Sequence, residues 1–94
     1  MQKYEIMTIT DVELGEEGAQ TMSNSVKDLI SDNKGKVLDS KFWGKRKFAY
    51  EINKRSEGFY DVIEFEMPTD KVELVRTKLN LQNGLVRYLI SAVK

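Results

Sequence analysis

FWGKRKFAYEINKRSEGFYDVIEFEM, Phe42 to Met67, is the stretch that decides the fold. Its first part alternates, with Phe48, Tyr50 and Ile52 on one side and Ala49, Glu51 and Asn53 on the other. That period of two marks a half-buried strand. Asn53-Lys54-Arg55-Ser56-Glu57-Gly58 follows, a turn-tolerant run without an apolar side chain. Residues 59–67 are β-favouring again, with Ile63, Phe65 and Met67 on one face, and Pro68 closes the run. Two strands folded back on each other are expected here, with the rest of the chain packed on them.

Working outward, residues 3–10, KYEIMTIT, read as a strand, and Asp11 to Glu17 as a polar linker containing Gly15. Over 16–33, Ala19, Met22, Val26, Leu29 and Ile30 form one apolar stripe at helical spacing. Gly35 is the expected helix stop. Residues 36–53 are expected as a long strand bent at Gly44, because glycine inside a strand marks a bulge. After Pro68, Thr69 is the expected N-cap of a second helix. Asp70 and Glu73 favour the positive end of its dipole, and Val72, Val75 and Leu79 form its apolar stripe. Asn83-Gly84 reads as a turn and 85–93, LVRYLISAV, as the last strand.

The order strand, helix, strand, strand, helix, strand is the α+β ferredoxin-like split βαβ sandwich: four antiparallel strands with two helices on one face. Right-handed crossovers put both helices on the same side. The opposite sheet face is left open to solvent or a partner. With 94 residues and no long linker, 1–94 reads as a single domain.

Composition excludes much. There is no cysteine and no histidine, so thiolate chemistry, disulfides, zinc sites and the usual general base lack their residues. No run approaches a membrane span, and Lys3 and Glu5 interrupt any leader, so no membrane or secretory role is expected and a cytoplasmic location is. Fifteen basic residues balance fifteen acidic ones. Bulk charge therefore cannot grip nucleic acid; a local patch or a partner must.

Candidates for chemistry are thin. Glu64 and Glu66 share a strand face, as an acid–base pair would, but like charges on an exposed face are ordinary and the pair reads as a solvated strand face. Glu13, Glu16 and Glu17 lack the spacing of a calcium loop. Acylphosphatase shares the topology but needs an arginine-bearing phosphate loop after the first strand, where Thr10-Asp11-Val12-Glu13 is acidic. The RNA recognition motif also shares it, and Glu57-Gly58-Phe59-Tyr60-Asp61 partly echoes its third strand. Phe59 fits one stacking position there; the other falls on Asp61, which cannot stack. The best local patch is Lys45-Arg46-Lys47 with Lys41, Lys54 and Arg55, beside Phe42, Trp43 and Tyr50. Lys45 and Lys47 should point one way and Arg46 the other. Ala49 is small enough to admit a close partner. Lys3, Tyr4, Arg87 and Tyr88, on neighbouring strands, are expected as a second small cluster.

The run Gly44-Lys45-Arg46-Lys47-Phe48-Ala49-Tyr50-Glu51-Ile52-Asn53-Lys54 resembles the signature of the bacterial small-subunit ribosomal protein S6 family: a glycine, a basic residue two positions on, Leu-Ala-Tyr, a spacer and Ile. Trp43, Tyr4-Glu5-Ile6, Glu66-Met67-Pro68, Leu79-x-Leu81 and Arg87 extend the likeness over nearly the whole chain. Phe48 stands where leucine is usual and Lys47 where a polar or differently charged residue is usual. The resemblance implies a structural protein without catalytic residues, metal or cofactor. It implies binding to the central domain of 16S ribosomal RNA together with ribosomal protein S18, and no small-molecule substrate. Many relatives carry a polar tail that reaches this partner; the sequence here stops at Lys94. On this reading Lys3, Tyr4, Arg46, Lys54, Arg87 and Tyr88 face RNA, and Trp43, Lys45, Lys47 and Ala49 face the protein partner.

Overall fold

The computed structural model describes residues 2–52, 55–82 and 84–93, without the side chains of 48–52, 55 and 56. The elements run β1 (Gln2–Asp11), a 3-10 turn (Val12–Leu14), α1 (Gly15–Asp32), β2 (Lys36–Ile52), β3 (Arg55–Met67), a second 3-10 turn (Thr69–Lys71), α2 (Val72–Leu79) and β4 (Leu85–Val93). The sheet order is β2-β3-β1-β4, and every neighbouring pair is antiparallel. This is the expected split βαβ sandwich.

The core follows from strand parity. Ile6 pairs with Ile63 on one side and Ile90 on the other, so three isoleucines form one row under the helices. All three are buried, with Phe65 and Met67 beside them. Val26 and Ile30 from α1 and Val72, Val75 and Leu79 from α2 close the layer from above. Residues of opposite parity, such as Lys3 and Glu5, are exposed on the other face. The expected core positions Ile63, Phe65 and Val26 are in place; the side chains of Phe48, Tyr50 and Ile52 lie outside the described residues.

Several local expectations change. The hairpin turn is tighter than the sequence suggests: Ile52 already pairs with Arg55, so Arg55–Gly58 belong to β3. Lys47 opposite Glu57 and Arg46 opposite Gly58 extend the ladder, because polar residues are at ease on a solvated hairpin arm. Thr69 does not cap α2. A 3-10 turn precedes the helix, capped by Pro68, whose backbone is extended and whose carbonyl accepts the Lys71 N–H at 3.0 Å, and Lys71 takes the N-cap place of α2 without a side-chain cap. Nor is the stretch after β1 slack. Asp11 is buried, its N–H donates to the Gly84 carbonyl at 2.8 Å, and its Oδ1 accepts the Glu13 N–H at 3.0 Å.

The end of α1 is a Schellman turn. The Gly35 N–H donates to Ile30 O at 2.8 Å and the Lys34 N–H to Ser31 O at 3.3 Å. The left-handed position is Lys34, at φ 66°, and not the glycine. Gly35 is required for space: a Cβ there would stand 2.6 Å from Ile30 Cγ2 and 2.9 Å from Met67 Cε.

Candidate protein and nucleic-acid interface

The bend expected at Gly44 is a bulge. Phe42 pairs with Asp61 and Gly44 with Tyr60, which leaves Trp43 without a cross-strand partner. Gly44 takes φ 84°, open to glycine and costly for other residues. The inserted residue reverses the parity of everything after it. Before the bulge, Lys41 and Trp43 face the open side with Val62. Beyond it, Arg46 opposite Gly58 continues that open side, while Lys45 opposite Phe59 and Lys47 opposite Glu57 turn toward the helix side.

Aromatic pairs mark the two faces. On the helix side Phe42 stacks on Phe59, centroids 6.2 Å apart. On the open side Trp43 lies parallel to Tyr60, centroids 6.4 Å apart and planes 1° apart. Trp43 is 49% exposed. The ladders extend this open face across the sheet: Tyr60 beside Ile9 beside Arg87, and Val62 beside Met7 beside Leu89. Sequence reading did not single out Met7, Ile9, Val62 or Leu89, because only the register assigns each its face; Ile9 is buried within the band.

The residues expected to face RNA do not form one surface. Lys3, Arg46 and Arg87 are exposed and lie on the open face. Tyr4 does not join them. It is buried at 9% exposure, stacked on Phe65 at 5.6 Å, because it shares parity with Ile6. Tyr88 is likewise on the helix side, opposite buried Thr8. Its hydroxyl donates to Asn80 Oδ1 at 2.8 Å, with Arg76 O 3.3 Å away, and pins β4 to the end of α2. The expected second cluster also fails. Lys3 pairs with Val93 and Arg87 with Ile9, at opposite ends of β1 and roughly 20 Å apart at strand rise. Lys54 lies outside the described residues.

The expected partner set divides too. Trp43 is on the open face, whereas the bulge sends Lys45 and Lys47 to the other; both are exposed. The Ala49 side chain lies outside the described residues. The partial recognition-motif echo is corrected by one residue. Phe59 and Asp61 are buried on the helix side, opposite Thr10 and Thr8, and the residues presented outward are Tyr60 and Val62. Among the described residues no cluster of acids could hold a metal ion, and no helix is long and apolar enough to cross a membrane.

Comparisons with known proteins agree with this arrangement. The family model for ribosomal protein S6 matches residues 3–92. The small ribosomal subunit protein bS6 of Fusobacterium nucleatum is 38% identical over 90 residues, 96% of each chain. The bS6 protein of Dictyoglomus turgidum is 35% identical over 94 residues, all of this chain and 97% of its own. The crystal structure of 30S ribosomal protein S6 from Thermotoga maritima superposes with a TM-score of 0.93 at 30% identity, covering 98% of this chain and 87% of that one. The C-terminal domain of MgtC from Mycobacterium tuberculosis, at 13% identity and a TM-score of 0.64, shares the fold alone. Matched from its first strand to its last, the chain belongs to the bacterial ribosomal protein S6 family, whose members are structural ribosomal proteins and not enzymes.

Proposed function

We propose that this chain, as a structural constituent of the small ribosomal subunit in the cytoplasm, holds the central domain of 16S ribosomal RNA jointly with ribosomal protein S18. Membership of the S6 family supports the ribosomal role. The observation that carries the shared grip is the charge balance, fifteen basic against fifteen acidic residues, with the exposed cations scattered. Lys3, Arg46 and Arg87 sit at separate points of the open face. With Lys54 they would neutralise about four phosphates, a log–log salt slope near −4. Affinity of that origin lies at roughly 10⁻⁴ to 10⁻⁶ M at physiological salt. A basic partner adds phosphate contacts and makes binding effectively bivalent. Trp43, with Lys45, Lys47 and Ala49 beyond the bulge, is the proposed partner-facing set.

The test is a filter-binding titration of a central-domain RNA fragment against the full chain, with and without S18. Weak binding alone and a gain of at least a hundredfold with S18 are expected. Tight binding by the isolated chain would place it among single-stranded RNA binders that work alone.

A further inference from the structure

Three carboxylates stand side by side on the open face. Asp39 pairs with Glu64 and Glu64 with Glu5, so β2, β3 and β1 each contribute one acid to a single row. Like charges directly opposite in a sheet repel. None of the three is ion-paired among the described residues. The next row begins with Lys41 and goes on apolar, Val62, Met7 and Leu89, with Leu89 53% exposed; the row on the other side of the acids holds Lys36, Glu66 and Lys3. Between β2 and β1 the three acids, Val62 and Met7 floor a shallow cleft of about 180 Å³, with Trp43 also lining it and Lys41 as the one basic lining residue.

We propose that this cleft receives the basic side chains of a polypeptide laid across β2, β3 and β1, in which arginine or lysine alternates with apolar residues, and that RNA does not enter it. This rests on the reading above that a protein partner shares the RNA. A guanidinium or ammonium group relieves the repulsion along Asp39, Glu64 and Glu5, and a guanidinium pairs with a carboxylate through two parallel hydrogen bonds. The exposed Trp43 ring offers its face to the same cation. The apolar row takes the residues between the charges, because side chains of an extended segment alternate. The Trp43–Tyr60 stack taken alone would suit a nucleic-acid base. Inside the cleft the acids decide otherwise: three carboxylates and one lysine line it, and a phosphate group is repelled there, while Lys3 and Lys36 stand outside it in the adjoining row.

The experiment compares the full chain with a Glu5→Gln/Glu64→Gln variant and with a Glu16→Gln/Glu17→Gln control on α1. Each is titrated separately with S18 and with the central-domain RNA fragment, at two salt concentrations. The neutral amides keep the shape and remove the repulsion, so the first variant folds at least as well, checked by thermal melting. It is expected to bind S18 about tenfold more weakly and with a shallower salt dependence, while the control binds as the wild type does. Equal S18 binding by wild type and Glu5→Gln/Glu64→Gln overturns the cleft assignment and leaves the partnership standing. No S18 binding by the wild type removes the partnership and the cleft proposal with it. Tighter RNA binding by Glu5→Gln/Glu64→Gln, with S18 affinity unchanged, makes the face an RNA surface and also overturns the proposal.

Discussion

Asp61 lies opposite Thr8 in the ladder between β1 and β3, on the helix side of the sheet, and neither oxygen of its carboxylate has a hydrogen-bond partner. The residue is 3% exposed. A buried polar group without a donor costs about 1–3 kcal/mol. Asp61→Val removes the orphaned carboxylate, suits a strand, and fills similar space. Urea denaturation should show the variant more stable by about 1–3 kcal/mol; equal or lower stability would mean that the acid is accommodated better than its contacts suggest.

The Schellman turn at the end of α1 makes two opposed predictions. Lys34 carries the left-handed backbone, at a cost of about 1–2 kcal/mol for a residue with a Cβ. Lys34→Gly should therefore raise the melting temperature. Gly35→Ala should lower it, because the new methyl meets Ile30 O at 2.8 Å as well as Ile30 Cγ2. If the two substitutions moved stability in the same direction, the assignment of conformation to one residue and space to the other would be wrong.

Ile63 sits between sheet and helices at 0% exposure, opposite Ile6. Ile63→Ala leaves a cavity in a layer closed from above by two helices. A loss of about 2–5 kcal/mol in chemical denaturation is expected, with no change in which strands pair.

Arg46 and Lys47 are adjacent and both exposed, yet the register places them on opposite faces. Single reversals, Arg46→Glu and Lys47→Glu, should each leave thermal stability nearly intact, since surface charges contribute little to it. Incorporation into reconstituted small subunits should separate them. Arg46→Glu, on the same face as Lys3 and Arg87, should weaken RNA attachment in the joint complex. Lys47→Glu should leave RNA attachment unchanged and weaken binding of the protein partner. Normal incorporation of both would reduce the basic run to a solvated edge.

The sheet and its helices were legible because their signals are local. Alternation at Ile63, Phe65 and Met67, and the stripe through Ala19, Met22, Val26 and Ile30, state which side of each element is apolar. Adding chain order and crossover handedness then leaves one arrangement. Gly44 and Gly35 were likewise legible as places where the chain must do something unusual, though not what. Which face a given strand residue takes is not a local property. It depends on register and on the bulge between Phe42 and Gly44, where one inserted residue turns Lys45 and Lys47 to one side of the sheet and leaves Trp43 and Arg46 on the other. Tyr4 and Tyr88 look like surface aromatics in the sequence, and pairing alone carries them to the helix side, one against Phe65 and one against Asn80. The acid row is the same kind of fact. Glu5, Asp39 and Glu64 are far apart along the chain and become neighbours only through the ladders β2–β3 and β3–β1. Side-chain chemistry is written residue by residue, whereas a binding surface is a relation between strands, and only closing the sheet sets it.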